Sequence, residues 1–143
     1  MNGLPQGYEL TVDQTLIDAV AAHAYLATSY WSEGISQETV TRALANSLCV
    51  AVRHEGMQVA MARVVTDRAT FAYLADVYVL DAHRGRGLSK AMVATLHDHP
   101  ELQGLRRWML MTRDAHTLYG QFGWAALADP SLAMERHNPA AYA

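Results

Sequence analysis

The residues best placed to do chemistry lie between positions 76 and 90. Arg84-Gly85-Arg86-Gly87-Leu88-Ser89-Lys90 follows an apolar, β-branched and aromatic run from Tyr73 to Leu80. It leads into a helical pattern in which Leu88, Ala91, Met92 and Leu96 are spaced to share one face. A strand, a glycine-rich turn and a helix together aim backbone N–H groups at an anion. The first helical turn has N–H groups without intrahelical acceptors, and the helix dipole adds positive charge there. Gly85 and Gly87 lack side chains, so the backbone can come close to a phosphate, while Arg84, Arg86 and Lys90 supply charge. Asp76 is the polar residue within the preceding apolar run. It reads either as a carboxylate suited to accept a proton or as the buried partner of an arginine such as Arg63. Upstream, Tyr30 and Trp31 stand beside Glu33, an arrangement that can grip a small molecule or simply cover a sheet. Downstream, His116 precedes Tyr119 by three residues, so both share one face of a helix.

Two familiar phosphate loops do not fit. A P-loop places Lys and then Ser or Thr directly after its last glycine, whereas Leu88-Ser89 follow Gly87. A dinucleotide fingerprint would need a glycine at Lys90 and an acid about 20 residues further on, where Arg106-Arg107 stand. Val79-Leu80-Asp81-Ala82-His83-Arg84-Gly85-Arg86-Gly87-Leu88-Ser89 instead resembles the acetyl-coenzyme A motif of the GNAT family of N-acetyltransferases. That motif is Arg/Gln-x-x-Gly-x-Gly/Ala after a strand ending in Val, and Ser89 takes its last small position. A second stretch, Thr112-Arg113-Asp114-Ala115-His116-Thr117-Leu118-Tyr119-Gly120-Gln121-Phe122-Gly123-Trp124, is similar to the family's other signature. Ala115, Tyr119, Gly123 and Trp124 match it, and Thr112 stands where the family usually has Asn.

The elements that must position these residues can be read from periodicity and turn residues. A short strand over residues 8–12 comes first. Asp13 then caps a helix running to about Thr28, with Leu16, Ile17, Val20, Ala24 and Ala27 inward. Ser36 caps a second helix from Gln37 to about Asn46, with Val40 and Leu44 inward. Three strands follow, Leu48–Arg53, Met57–Thr66 and Thr70–Leu80, joined by turns at His54-Glu55-Gly56 and Asp67-Arg68-Ala69. A helix from Gly87 to Asp98 stops before Pro100, and a strand spans Arg107–Thr112. Asp114 caps a helix over Ala115–Phe122, and strands near Trp124–Leu127 and Leu132–Glu135 complete the sheet. Strand–helix–strand in one sheet makes 107–112 parallel to 70–80. The expectation is therefore one α/β domain over residues 1–143 with a mixed, mostly antiparallel sheet of six to seven strands. The order β-α-α-β-β-β-α-β-α-β-β is that of the GNAT family.

Composition narrows the partners. Of the 143 residues 51% are hydrophobic and 17% charged, as in an ordinary globular protein, and the net charge of −3 argues against general nucleic-acid binding. No apolar stretch reaches the length of a membrane span, and the N-terminus does not read as a signal peptide. The single Cys49 sits in an apolar run and is expected to be a core residue, consistent with a cytoplasmic location. His97-x-His99 lacks metal-ligand company, so no metal is expected.

The resemblance implies the chemistry. In the family, coenzyme A lies between two splayed parallel strands, here 70–80 and 107–112, and its pantetheine arm pairs with backbone near Val77, Tyr78 and Val79. Arg84 to Lys90, including Leu88 and Ser89, would hold the pyrophosphate, and Thr112 and Tyr119 would complete the cofactor contacts. Tyr119 would protonate the departing thiolate, unless it is only a core tyrosine. Asp76, Glu33, His116 or a water chain would take the amine's proton. Tyr30, Trp31, Glu33 and Asp76 would line the acceptor site, and these acids with Asp67 favour a small cationic amine. The implied partners are thus acetyl-coenzyme A and a small-molecule amine, with no nucleic acid and no membrane, and with a homodimer allowed. A non-catalytic acyl-coenzyme A sensor of the same fold is the alternative.

Overall fold

The computed structural model describes residues 3–143. Five strands form one sheet in chain order: β1 (Tyr8–Thr11), β2 (Leu48–His54), β3 (Met57–Thr66), β4 (Phe71–Val79) and β5 (Arg107–Leu110). The first four are antiparallel neighbours, and β4 and β5 are parallel. Helices α1 (Ala19–Leu26) and α2 (Gln37–Ala45) connect β1 to β2, α3 (Leu88–His97) connects β4 to β5, and α4 (His116–Gly120) follows β5.

The sheet is covered on both faces, which is why β2 reads as a nearly unbroken apolar run. Val50 and Val52 face α3 and meet Met92, Val93 and Leu96, while Cys49 and Ala51 face α1 and α2 and meet Leu26, Val40 and Leu44. Cys49 is buried as expected, and burial pushes its thiol up to about 12. It behaves as a small apolar side chain.

At β4 the alternation changes phase. Ala72 and Leu74 point to the α3 face, yet so do Val77 and Val79, and Tyr78 points to α1 and α2. The pairing explains this: Arg63 lies opposite Ala75 and Met61 opposite Tyr78, so Ala62 faces both Asp76 and Val77. This is a β-bulge, with Asp76 in the left-handed region at φ 52°. One extra residue swaps the faces for the rest of the strand.

Two expectations need correction. The first helix is broken rather than continuous from Asp13. Asp13 accepts from the Thr15 N–H and caps a single 3-10 turn, Ile17 is extended, and Asp18 restarts the helix by accepting from the Ala21 N–H. Buried Gln58 holds the break by accepting from the Asp18 N–H at 2.8 Å and donating to the Asp18 carbonyl at 3.1 Å. The restart shifts the helical phase. Ala22 and Leu26 are the buried residues of α1, and Leu16, Val20 and Ala24 are exposed.

Nor do residues 124–127 and 132–135 form strands, so the sheet has five strands rather than six or seven. Leu132 and Met134 are 81% and 96% exposed: no layer lies over this segment to bury an alternating face. Asp129 accepts from the Ser131 N–H and caps a 3-10 turn begun by Pro130, a residue that cannot donate to a ladder.

Beside β5 an aromatic cluster closes the C-terminal end of α3. Trp124 Nε1 donates to His97 Nε2 at 3.1 Å, and His97, Trp108, Phe122 and Trp124 line a concavity of about 370 Å³. His97 must therefore be neutral at Nε2. Burial holds its imidazole below the ordinary value of 6.5, so the unfolded chain takes up the proton first as pH falls. The stability tied to the neutral ring is present above about pH 6.5 and lost as pH drops towards the folded-state value. Urea midpoints compared at about pH 7.5 and about pH 5.5 should fall further in the wild type than in His97→Gln. Equal falls would exclude His97 from the acid sensitivity.

Candidate active site

The ladder between β4 and β5 runs from Phe71 opposite Arg107 to Leu74 opposite Leu110 and ends there. β4 continues through Ala75–Val79 without a β5 partner, so a wedge opens between the strands with backbone polar groups along one wall. The bulge at Asp76 sits where the wedge begins.

At the top of β4 the chain makes a 3-10 turn, Asp81–His83, and reaches the glycine loop. Gly85 and Gly87 have φ of 77° and 80°, conformations that side-chain-bearing residues resist, and Gly87 is the residue before α3. A Cβ at either would meet nothing within 4 Å. The requirement for glycine therefore comes from backbone conformation and leaves the outer side of the loop open. Five contacts fix the loop. Arg84 donates from Nε to the Val79 carbonyl at 3.2 Å and from Nη2 to the Tyr25 hydroxyl at 3.1 Å, and it pairs with Asp81 at 3.1 Å. The Tyr8 hydroxyl hydrogen-bonds His83 Nδ1 at 2.7 Å, and the Arg86 guanidinium lies 5.9 Å from the Tyr8 ring centre. Lys90 is exposed, Ser89 is half-buried, and the Leu88 side chain is core.

Aromatic residues line the α1–α2 face of this same β4 side. Tyr78 is buried on the α1–α2 face, stacked on Tyr25 at 4.5 Å with its hydroxyl bonded to Gln58, so only its backbone is available to a ligand in the wedge. From Tyr25 the rings continue to Trp31 at 6.2 Å and Tyr30 at 5.1 Å. Tyr30 and Trp31 are thus both exposed beside the wedge rather than covering the sheet, and Glu33 is exposed on the same loop. Gly34 ends the loop at φ 85°, and a Cβ there would strike the Tyr142 carbonyl oxygen at 2.7 Å, so the C-terminal segment rests against this loop.

Of the two readings of Asp76, the geometry matches the ion pair. Oδ2 accepts from Arg63 Nε at 2.8 Å and Oδ1 from Trp31 Nε1 at 2.9 Å, with the Arg63 and Asp76 side chains only 18% and 10% exposed. Arg63 Nη1 also donates to the Ser47 hydroxyl at 3.2 Å. Asp67 does not reach the site. Its carboxylate is engaged in its own hairpin, accepting from the N–H groups of Ala69, Thr70 and Phe71 and from the Thr70 hydroxyl, which holds it well below the usual carboxylate range.

Tyr119 lies on α4 across the wedge and is 7% exposed. Among the described residues no side chain hydrogen-bonds its hydroxyl. Burial, with a smaller contribution from nearby Tyr30, raises its phenol above the ordinary value of 10. Asp114 is not the cap of α4. The Thr112 hydroxyl instead accepts from the Ala115 N–H at 3.1 Å and the Asp114 N–H at 3.4 Å, and the helix is confined to His116–Gly120. His116, its first residue, is exposed. One residue was missed: Arg113, whose guanidinium lies 3.7 Å from the Tyr30 ring centre. Its only sequence signal is its position directly after Thr112 in the strand-to-helix turn. The described residues contain no cluster of three or more His, Cys, Asp or Glu able to hold a metal, and no helix long and apolar enough to cross a membrane. The concavity beside His97 is a separate feature, at the far end of a ten-residue helix about 15 Å from the glycine loop.

A mixed sheet with one parallel pair that parts midway, and a glycine turn leading into a helix at the end of the inner strand, is the architecture of an acyltransferase family. Residues 16–124 match the family model described as Acetyltransferase (GNAT) family, and the chain belongs to that family. A Gibberella zeae protein named "Putative acetyltransferase FG08082" is 31% identical over 137 residues, covering 80% of this chain and 76% of that one. A crystal structure of a "putative acetyltransferase belonging to the gnat family" from Xanthomonas campestris pv. campestris superposes with a TM-score of 0.93. It is 45% identical and covers 98% of this chain and 99% of that one. A Clostridium acetobutylicum "predicted acetyltransferase with acetyl-CoA" shares the fold, with a TM-score of 0.64 at 16% identity, covering 91% of this chain and 94% of that one.

Removing the Asp76 carboxylate should cost stability before it costs anything else. Asp76→Ala leaves Arg63 and Trp31 without their acceptor in a nearly buried site, at about 3–5 kcal/mol by urea unfolding. Asp76→Asn, which keeps an acceptor oxygen, should lose less. If Asp76→Ala unfolded at the wild-type midpoint, the pair would carry no structural weight.

Proposed function

We propose that the chain transfers the acetyl group of acetyl-coenzyme A directly to the primary amine of a small acceptor. The observation that carries this reading is the junction at Val79. There a strand that has lost its parallel partner leads through two left-handed glycines to the N-terminus of α3. The residues present fit coenzyme A: the loop has an open outer side for a pyrophosphate, and β4 offers unpaired backbone for pantetheine amides.

In this reading the backbone of residues 85–90 binds the phosphates, with Arg86 and Lys90 adding charge. Arg84 shapes the loop from within through its contacts to Val79, Tyr25 and Asp81. Leu88 contributes only backbone, because its side chain is core, and Ser89 can add a hydroxyl. Val77, Tyr78 and Val79 present the strand edge along which pantetheine lies, and a backbone N–H there polarises the acyl carbonyl as the amine attacks. Thr112 holds the turn that brings α4 to the wedge. When bound, acetyl-coenzyme A supplies an acetyl group activated as a thioester.

Tyr119 is assigned the proton transfer to the departing thiolate. Its raised phenol stays protonated at neutral pH, and its hydroxyl has no competing partner among the described residues. Asp76 is assigned to holding Trp31 and Arg63 at the acceptor side, since both its oxygens are engaged. Loss of the ammonium proton then falls to solvent at the open mouth of the wedge. Glu33, exposed and without a partner among the described residues, is the carboxylate available to draw in an ammonium group. Tyr30 and Trp31 form the aromatic side of the same site.

Gly87→Val should weaken acetyl-coenzyme A binding by about tenfold or more, because a side chain at φ 80° both strains the loop and fills its open side. Unchanged affinity by calorimetry, in a variant shown to be folded by circular dichroism, would separate the loop from the cofactor. Arg86→Ala, which leaves the N–H groups in place, should cost less. Tyr119→Phe keeps the ring, so stability and cofactor affinity should hold while single-turnover acetyl transfer slows by roughly 10²–10⁴-fold. Transfer at the wild-type rate would reduce Tyr119 to packing. Cofactor binding with no transfer to any amine would favour an acyl-coenzyme A sensor instead.

A further inference from the structure

The acceptor side of the wedge contains two arginines in different states. Arg63 is paired with Asp76 and Ser47. Arg113 has no carboxylate within ion-pair distance among the described residues, and its guanidinium lies over the face of Tyr30 at 3.7 Å. Stacking on a ring engages the face of a guanidinium and leaves the N–H donors around its edge pointing outward in one plane. It also restricts a side chain that would otherwise lose much rotamer freedom on binding a ligand. Arg113 is therefore a preorganised, unpartnered planar fork.

Its location makes it specific to the acceptor. Arg113 comes from the turn after β5, and Tyr30 from the α1–α2 loop, whose next residue, Trp31, is bonded to Asp76 on β4. The contact thus joins the β4 side of the wedge to the β5 side, just beyond the last paired residues, Leu74 and Leu110. Tyr30 is also close enough to Tyr119 to raise its phenol further. Arg113 stands in the turn that leads into α4, the helix carrying the proposed proton donor Tyr119.

We infer that the acceptor amine also carries a carboxylate, and that Arg113, held on Tyr30, binds that carboxylate. The inference rests on the acetyl-transfer reading and deepens it. One unpaired guanidinium matches one negative charge, and its fork matches the two oxygens of a carboxylate. A phosphate would bring nearly twice the charge to a site whose other arginine is already neutralised and whose loop carries Glu33. Of the acids that suggested a cationic acceptor, Asp67 lies in its own hairpin and Asp76 is paired with Arg63, which leaves Glu33 for the ammonium end of a molecule whose other end is a carboxylate.

The test uses the full chain saturated with coenzyme A, and as probes the N-acetyl derivatives of the common amino acids and the corresponding amides. Calorimetry should show at least one acid bound roughly tenfold or more tighter than its amide. Arg113→Gln should abolish that difference, and Arg113→Lys should retain part of it, while both bind coenzyme A as the wild type does. Tyr30→Leu, which removes the ring beneath the guanidinium, should weaken acid binding with less effect on the amide. Equal binding of acids and amides across the panel, binding of neither, or a preference that survives Arg113→Gln, would overturn the inference. Failure of the wild type to bind coenzyme A would instead overturn the acetyl-transfer reading beneath it.

Discussion

The ion pair between Arg63 and Asp76 holds the structural feature on which the site depends. An Asp in the left-handed region inserts one extra residue into β4 opposite Ala62, and the pair with Arg63 on β3 holds it there. Had β4 stayed regular, residues 72, 74, 76 and 78 would all have faced α3. The bulge turns Tyr78 to the α1–α2 face, where it stacks on Tyr25, and turns Val77 and Val79 to the core beneath α3. It also bends the strand just after its last paired residue with β5, which is where a parting of the two strands has to begin. A buried ion pair is weak evidence for net stability. Here its role is conformational: it selects one phase of the strand and one position of Trp31.

From that point the two sides of the wedge are built differently. The glycine-turn side, proposed to hold phosphate, is made of backbone held by local contacts: two left-handed glycines, a helix N-terminus, and Arg84 folded back on the strand it follows. The side proposed to take the acceptor is made of side chains brought together from distant segments. Tyr25, Trp31, Tyr30 and Arg113 form a continuous series of ring contacts from α1 to the turn after β5. A backbone cradle suits a ligand part common to a whole family. A side-chain surface drawn from variable loops suits one that differs among its members.

The C-terminal segment belongs to the second category. Rather than extending the sheet, residues 125–143 run along the surface, and the Tyr142 carbonyl lies where a side chain at position 34 would project. The loop bearing Tyr30 and Trp31 is therefore supported from β4 through Asp76 and from the end of the chain through Gly34. At the opposite end of β5, Trp124 and His97 close the sheet edge that a further strand would otherwise have covered.

What could be read from residues 84–90 and 115–124 depended on local conformation. Glycines with φ near 80°, a helix N-terminus and a strand reading as an apolar run are properties of a few consecutive residues, so the conformation of the glycine turn, the central three strands, α2 and α3 were legible in the sequence. So was the choice at Asp76, though only as two alternatives. Tertiary structure supplied the ion pair by placing Arg63 of β3 and Trp31 of a distant loop against its two oxygens. It also broke the first helix where Gln58, forty residues away, captures the Asp18 backbone. It left the C-terminal segment without the layer an alternating strand needs, and it brought Arg113 onto Tyr30. In each case the deciding partner is far away in sequence, and periodicity over a short window carries no record of it.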